Sequence, residues 1–290
     1  MAAANPFKVK DLIAKYGWQI MPYLSNLGVN VLAEAAVLFV DSEATNALDA
    51  DDGEHGHSFE RPLATLNYAI SLCTASQGDV ILLGPGHAET IEDTGTASGT
   101  TTDEVTVDKA GIHIIGIGVG SRIPTFTLEG ATDAAIVVLA GATDVHIKNI
   151  KIVSNLADVA AGMTLSATSD GAVIEDCIFR DGAAAKELVI GLSIAADCDN
   201  ITVRNCHFST VASGGCGAAI RLAGGCDNSV FEGNVAYGTY STSAFDADVA
   251  ASLNLILKNN VFCNEGAAAC ELQASTTGVM SENYIGGTTS

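Results

Sequence analysis

The sequence predicts an all-β solenoid built from short parallel strands, and three observations support this prediction. Six segments of similar pattern start 27, 29, 28, 26 and 23 residues apart, and within each segment apolar residues alternate with polar ones, as in a strand with one buried face. Turn-forming residues, such as those in TSDGA, DCDN and GCDN, precede the segments, and no helical pattern lies between them. The segments are IKNIKI from Ile147, IEDCIF from Ile174, VRNCHF from Val203, FEGNVA from Phe231, LKNNVF from Leu257 and MSENYI from Met280.

A repeat of this length that contains strands and no helix forms one turn of a solenoid, because each unit buries its apolar face only by stacking on its neighbours. The predicted fold is therefore a single-stranded, right-handed parallel β-helix, in which successive rungs lie about 4.8 Å apart. The composition agrees with short strands and tight turns, since the chain has 30 glycines and only 5 prolines.

Stacked rungs bring equivalent residues together, which predicts two ladders. The second position of the repeat alternates in sign through Lys148, Glu175, Arg204, Glu232 and Lys258, so opposite charges should face each other on the outside. At the fourth position, Asn234, Asn260 and Asn283 are expected to form a ladder of side-chain amides, in the same column as Cys177 and Cys206.

Upstream of the repeats, a segment is expected to cap the open end of the solenoid. RPLATLNYAISLC places Leu63, Leu66, Ala69, Ile70 and Cys73 on one face of an amphipathic helix. GDVILLGPGHAET then supplies a strand and a turn, and DKAGIHIIGIG, residues 108–118, supplies the first full rung.

These motifs resemble the opening segment of right-handed parallel β-helix proteins of the pectate-lyase-like group. The resemblance covers residues 38–290, and the chain looks like the phage capsid decoration, cement or spike proteins that share this fold. The resemblance implies the fold and says little about chemistry, because the fold hosts lyases, hydrolases, esterases and inert spikes.

The chain is predicted to have two parts. Residues 1–36 form an extended or helical N-terminal arm, and residues 37–290 form the β-helix, with the opening strand, acidic loop, cap helix and first rung in 37–92 and stacked rungs in 103–287. Because aromatic anchors dominate protein interfaces, the arm is expected to dock another subunit or particle; a helix folded back over the solenoid is the alternative. The expected anchors are Phe7, Tyr16, Trp18, Met21 and Tyr23.

Charge and cysteine content limit the partners and the compartment. The net charge is −21; residues 1–36 carry +1, so the remainder carries −22, which excludes nucleic acid and anionic membrane as partners. The eight cysteines match no zinc spacing and are expected to be free, mostly buried thiols. With no visible secretion signal, the protein is expected to be made in a host cytoplasm.

Catalysis, metal binding and cofactors are all expected to be absent. If the protein is an enzyme, the candidates are Asp176, Asp199 and Asp227 with Arg221, because carboxylates 5–9 Å apart suit glycoside hydrolysis. The competing interpretation is that these aspartates cap turn amides. The acidic loop at 49–57, which lies within ALDADDGEHGHSF, lacks the ligand spacing of a calcium loop and is expected to be solvated.

The expected function is structural: a capsid decoration or cement protein, forming a homotrimer on the virion's capsid surface and bound to the major capsid protein. The alternative is a phage tail spike or tail-associated polysaccharide depolymerase. A secreted adhesin, the third class, would need an export signal, which the sequence does not display.

Overall fold

The computed structural model describes Lys8 and residues 35–92, 104–130, 134–211 and 216–287. In these residues the chain winds through three parallel sheets, and each complete turn of the winding contributes one strand to each sheet. The predicted all-β parallel β-helix is confirmed.

The nine-stranded sheet holds the first two residues of every sequence repeat, and the third lies in the turn that follows. Its order follows the chain, β1-β2-β5-β8-β11-β14-β17-β20-β23. These strands are β1 (Val37–Val40), β2 (Val80–Leu83), β5 (His113–Gly116), β8 (His146–Lys148), β11 (Val173–Glu175), β14 (Thr202–Arg204), β17 (Val230–Glu232), β20 (Leu255–Lys258) and β23 (Gly278–Ser281).

The eight-stranded sheet follows after a tight turn and has the order β24-β21-β18-β15-β12-β9-β6-β3. Its strands are β3 (Ala88–Ile91), β6 (Thr125–Leu128), β9 (Lys151–Ser154), β12 (Ile178–Asp181), β15 (His207–Ser209), β18 (Val235–Gly238), β21 (Val261–Asn264) and β24 (Tyr284–Gly287).

The seven-stranded sheet closes each rung and has the order β22-β19-β16-β13-β10-β7-β4. Its strands are β4 (Val105–Val107), β7 (Ala134–Val138), β10 (Val159–Leu165), β13 (Leu188–Ile194), β16 (Ala218–Leu222), β19 (Ser243–Ala247) and β22 (Ala268–Leu272).

One short helix covers the N-terminal end. Helix α1 (Leu66–Leu72) contacts β1, β2 and β4, the first strands of two sheets, and Thr65 caps it by accepting the Tyr68 N–H. The predicted apolar face is buried, but Leu63 lies before the helix because its backbone pairs with β1 at Val40. A separate 3-10 helix spans Gly120–Arg122.

Aromatic rings stack along the inside of the solenoid. Phe179 and Phe208 lie 4.8 Å apart between ring centroids and only 4° from parallel, and they fill the sixth repeat position on adjacent rungs. Gly191 makes room for this stack, since a Cβ there would lie 2.8 Å from a Phe208 ring carbon. Close packing of this kind makes the interior a solid core.

The last rung is more exposed than the others. Repeat position one is fully buried through Ile147, Ile174, Val203, Phe231 and Leu257, whereas Met280 is 49% exposed at the same position. Four further apolar side chains of this end, Ile256, Val279, Tyr284 and Ile285, are 36–64% exposed. Among the described residues, no helix is long and apolar enough to cross a membrane.

Candidate functional site

The turn between the nine-stranded and eight-stranded sheets determines the role of Asp176. Repeat position three has a positive φ in every repeat, near 55° for Asp176. Asn, Asp and Gly adopt this left-handed conformation most readily, which explains the residue types in the column apart from Glu282. Asp176 therefore meets a backbone requirement, and its Oδ2 lies 3.4 Å from Lys148 Nζ. The other residues of this column are Asn149, Asn205, Gly233, Asn259 and Glu282.

The turn that leads into the nine-stranded sheet contains Asp199 and Asp227. Asp199 Oδ1 accepts the Asp227 N–H at 2.8 Å, and Asp227 Oδ1 accepts the Leu253 N–H at 2.7 Å. One rung earlier, Asp170 Oδ1 accepts the Asp199 N–H at 2.9 Å. These carboxylates therefore form a ladder of side chains that accept backbone N–H groups. The turn that holds them lies at a different corner of the rung from the turn that holds Asp176.

The charged residues of repeat position two lie in register, as the sequence predicted. Lys148, Glu175, Arg204, Glu232 and Lys258 are paired neighbours on successive strands from β8 to β20. Glu175 binds both Lys148 Nζ at 3.2 Å and Arg204 at 3.0 Å, and Glu232 lies 3.7 Å from Lys258. The ion pairs thus form two groups, because Arg204 pairs with Glu175 on one side only.

Two histidines adjoin the first of these groups. His146 Nε2 lies 3.3 Å from Glu175 Oε2, and its ring meets that of His113 edge-on at 5.7 Å. Burial, together with the charge of His146, lowers the pKa of His113 to about 4. Burial also lowers the pKa of His146, against the opposing effect of Glu175. The pKa of Glu175 is lowered because its hydrogen bond to Arg204 and the charge of Lys148 outweigh its burial.

Arg221 lies on the outer face of the seven-stranded sheet, in a cluster that the sequence analysis did not identify. Arg221, Asp246 and Glu271 are register partners on β16, β19 and β22, and Arg221 Nε lies 3.5 Å from Asp246 Oδ2. One carboxylate oxygen each from Asp246, Asp248 and Glu271 lie within 4.8 Å of one another.

This acidic cluster has unusual electrostatics. The Asp246 side chain is only 4% exposed, and its Oδ1 has no hydrogen-bond partner. Burial raises the pKa of Asp246, and the neighbouring Asp248 carboxylate raises it further. Burial also raises the pKa of Glu271, as do the charges of Asp248 and Asp246. A signal for the cluster exists in the sequence: Asp246-x-Asp248 and Glu271 are one repeat period apart.

The acidic loop at 49–57 uses its side chains locally. Asp49 accepts hydrogen bonds from the Ala64 and Thr65 N–H groups and from the Thr65 hydroxyl, and so positions the start of α1. Asp52 Oδ2 contacts His55 Nδ1 at 2.7 Å, and Glu54 pairs with Arg61. Within the described ranges, the loop contributes no group of three metal-ligating side chains.

His87 and Glu89 form a buried pair beside α1. Glu89 Oε1 contacts His87 Nε2 at 2.8 Å and accepts the Leu66 N–H at 2.7 Å. His87 Nδ1 accepts the Ser42 N–H, while the Ser42 hydroxyl donates to the Ala88 carbonyl. Because Ser42 approaches His87 through its backbone, these residues join the opening strand to the cap and do not form a nucleophilic triad.

The eight cysteines are free, as predicted; six are buried and two are half-buried. Burial raises the pKa of Cys226 to about 12 and that of Cys270 to about 11, so these thiols are poor nucleophiles. The predicted docking anchors Phe7, Tyr16, Trp18, Met21 and Tyr23 lie outside the described residues. Of the predicted arm, Lys8 pairs with Ala36 in an antiparallel bridge.

The comparison with known families agrees with the observed winding. Residues 67–236 and 135–290 match the family described as "Right handed beta helix region". The chain therefore belongs to the right-handed β-helix family. No curated protein matches the sequence.

The solved structures that the comparison found are distant in sequence. A rhamnogalacturonan lyase superimposes with a TM-score of 0.56 at 18% identity, covering 87% of this chain and 62% of the lyase. The pectate lyase Pel9A gives 0.46 at 15% identity, covering 82% and 65%, and ORF18 of Geobacillus virus E2 gives 0.27 at 12% identity, covering 95% and 62%. The chain thus spans less than two thirds of each of these proteins, and the likeness to the rhamnogalacturonan lyase concerns the fold alone.

Proposed function

We propose that this chain is a non-enzymatic structural protein of a larger assembly, namely a capsid decoration protein of the bacteriophage virion. It docks on the major capsid protein through residues 1–36, at the capsid surface. The observation that carries the proposal is that the aspartates predicted as catalytic serve the solenoid's own backbone and ion pairs.

The predicted catalytic residues support this interpretation. Asp199 and Asp227 each use Oδ1 to accept a backbone N–H from the next rung, and Asp176 occupies a left-handed turn position. Glycoside hydrolysis needs two carboxyls facing one bond at about 5–9 Å, with oxygens free for acid and base work. Asp176 lies in a different turn from the other two, and Arg221 lies on a third face, so the four residues do not converge on one site.

The surface also favours assembly. A net charge of −21 keeps a protein soluble at high copy number.

Antibody-gold labelling of particles from the native source, viewed by electron microscopy, tests the proposal. Uniform labelling of the heads is expected. Labelling at the tail alone would indicate a tail spike protein instead, and unlabelled particles would overturn the virion proposal altogether.

Deletion of residues 1–36 tests the docking step. The truncated chain is expected to keep its β-sheet circular dichroism and to lose incorporation into particles. Alanine at Trp18 and Tyr23 together is the milder variant, with Tyr237→Ala, which alters an exposed tyrosine of the solenoid, as the control. Incorporation that survives the deletion would refute docking by the arm.

Release from particles under mild conditions tests the predicted homotrimer. Native mass spectrometry is expected to give three times the 29.6 kDa chain mass. The mass of one chain would refute the trimer without affecting the decoration role.

A tail-associated polysaccharide depolymerase is the second candidate, because Arg221, Asp246, Asp248 and Glu271 group on one face of the solenoid. A screen of host polysaccharides for released reducing ends tests it. Cleavage that Glu271→Gln abolishes would favour the enzyme; the triple substitution of Asp176, Asp199 and Asp227 separates this cluster from the sequence-predicted set.

A further inference from the structure

Buried aspartates elsewhere in the solenoid show what a satisfied carboxylate looks like in this protein. Asp181 is 2% exposed and accepts the Leu188 N–H, the Val211 N–H and the Thr210 hydroxyl. Asp79 is 1% exposed and accepts the N–H groups of Ala36 and Thr74, one on each oxygen. In both cases the carboxylate oxygens have donors, as burial of a charge requires.

Asp246 is buried to a similar degree and differs in this respect. Its Oδ2 faces Arg221 Nε at 3.5 Å, whereas its Oδ1 has no hydrogen-bond partner. Asp246 also has the carboxylates of Asp248 and Glu271 as neighbours, with one oxygen of each residue within 4.8 Å of the others. Like charges this close disfavour one another unless a cation or proton lies between them.

The charges of the group leave a defined deficit. Three carboxylates carry −3 and Arg221 carries +1, so two positive charges would balance the group. Asp248 is exposed, which gives an ion access to the buried oxygen of Asp246 from solvent. Glu271, on the neighbouring strand β22, approaches from the next rung.

We propose that Asp246, Asp248 and Glu271 form a binding site for a divalent cation, with Ca²⁺ as the favoured ion. The ligand set holds only carboxylate oxygens, which suit hard cations and not the softer metals that prefer imidazole or thiolate. Ca²⁺ accepts six to eight oxygens in flexible geometry, and three carboxylates with water meet that number; Mg²⁺ requires a stricter octahedron.

The site has a structural consequence that goes beyond the proposed function. Because β19 supplies Asp246 and β22 supplies Glu271, the ion bridges adjacent rungs at a place where like charges would otherwise separate them. Arg221 Nε faces Oδ2 of Asp246 at 3.5 Å, and Oδ1 has no hydrogen-bond partner that would compete with an ion. Cation binding therefore stabilises the last rungs of the solenoid by mass action.

Calorimetric titration of the full chain with calcium chloride, after treatment with EDTA, tests the site. One ion per chain is expected, with a rise in the thermal midpoint on adding calcium. Asp248→Asn and Glu271→Gln should each weaken binding about tenfold or more, because each removes a charged ligand. Both residues are at least partly exposed, and circular dichroism checks that the variants fold.

Asp158→Asn is the matched control. Asp158 is an exposed aspartate in a left-handed turn three strands away, and Asn tolerates that conformation. The control should bind calcium like the unmodified chain. Wild-type affinity in either Asp248→Asn or Glu271→Gln would overturn the assignment, as would the absence of both heat and a thermal shift at millimolar calcium.

Discussion

The inward amide column and the outward charge column run through the same rungs, yet they stabilise the solenoid in different ways. Asn234 and Asn260 are fully buried, and each joins its own rung to the preceding one by accepting through its side-chain oxygen and donating through its side-chain nitrogen. Lys258 and Glu232 are nearly half exposed and meet at 3.7 Å. Periodicity therefore places both columns, but burial decides how much each interaction contributes to the free energy of unfolding.

The charge column itself contains both situations. Glu175 is 8% exposed and contacts Lys148, Arg204 and His146, whereas Glu232 has one distant partner. The same residue type, at the same repeat position, thus occupies a partly buried network in one rung and a solvated pair two rungs later. Substitutions at the buried and exposed positions test this difference.

The largest effect is expected for Asn260→Ala. The substitution removes the acceptor of the Asn234 N–H at 2.9 Å and the donor to the Phe231 carbonyl at 2.8 Å. Each buried group left without a partner costs about 1–3 kcal/mol, so the free energy of unfolding should fall by about 3–5 kcal/mol. Urea denaturation followed by circular dichroism measures the change.

Cys177→Ala is the control for this substitution, because Cys177 occupies the same column as a buried, mainly apolar side chain. A loss of about 1 kcal/mol is expected, since little apolar surface is removed. Equal losses of unfolding free energy in the two variants would mean that this column stabilises the fold through packing and not through the amide hydrogen bonds.

Glu175→Gln should have the next largest effect, a loss of about 1–3 kcal/mol. The change keeps the shape of the side chain and removes the charge that Lys148 and Arg204 share. Two cations then remain close together without their anion, which is the costly way to break a partly buried ion pair. Denaturation at low and high salt measures it, and the loss should shrink at high salt.

The columns could be predicted from the sequence because each follows from residue type and period alone. Alternating signs at Lys148, Glu175 and Arg204 indicate outward neighbours in register, and the Asn at repeat position four indicates an inward ladder. The same reasoning identified the cap helix, because its apolar residues have a helical period. Leu63 fell outside the helix because backbone pairing with Val40 outweighed its position in that period.

The acidic cluster was not predicted because its members occupy outward positions on the seven-stranded sheet, where the repeat pattern is weakest. Burial of Asp246 depends on how that face packs, and nothing in a single sequence distinguishes a buried outward Asp from a solvated one. The strength of each ion pair could not be predicted from the sequence either, since the pattern gives the order of the charges and not the distances between them. Asp199 and Asp227 allowed two interpretations for the same reason, and only the hydrogen bonds distinguish a turn cap from a catalytic acid.

The histidines beside Glu175 should make the protein less stable in acid than at neutral pH. The folded-state pKa of His113, about 4, lies below the ordinary 6.5, so the unfolded chain binds more protons between these values. Stability that is present above pH 6.5 is therefore lost as the pH falls toward 4. His113→Gln should reduce the difference in the free energy of unfolding between pH 7 and pH 4.5, which urea titrations measure. This change should be smaller than the loss expected for Glu175→Gln, because His113 is partly exposed.

His207→Gln is the control for the acid effect, because His207 is an exposed histidine on β15. This variant should retain the stability difference between the two pH values. If His113→Gln retains it as well, the acid sensitivity arises from groups other than His113, among which His146 is the next to substitute.

The smallest effect is expected for Glu232→Gln, a loss of at most about 0.5 kcal/mol. Glu232 and Lys258 are 44% and 45% exposed, so water and salt screen the pair, and holding two long side chains costs entropy. A double-mutant cycle with Lys258→Gln isolates the pair from the effect of each residue alone. A coupling energy as large as the Glu175→Gln loss would show that position in the ladder, and not burial, determines what a charge contributes to this solenoid.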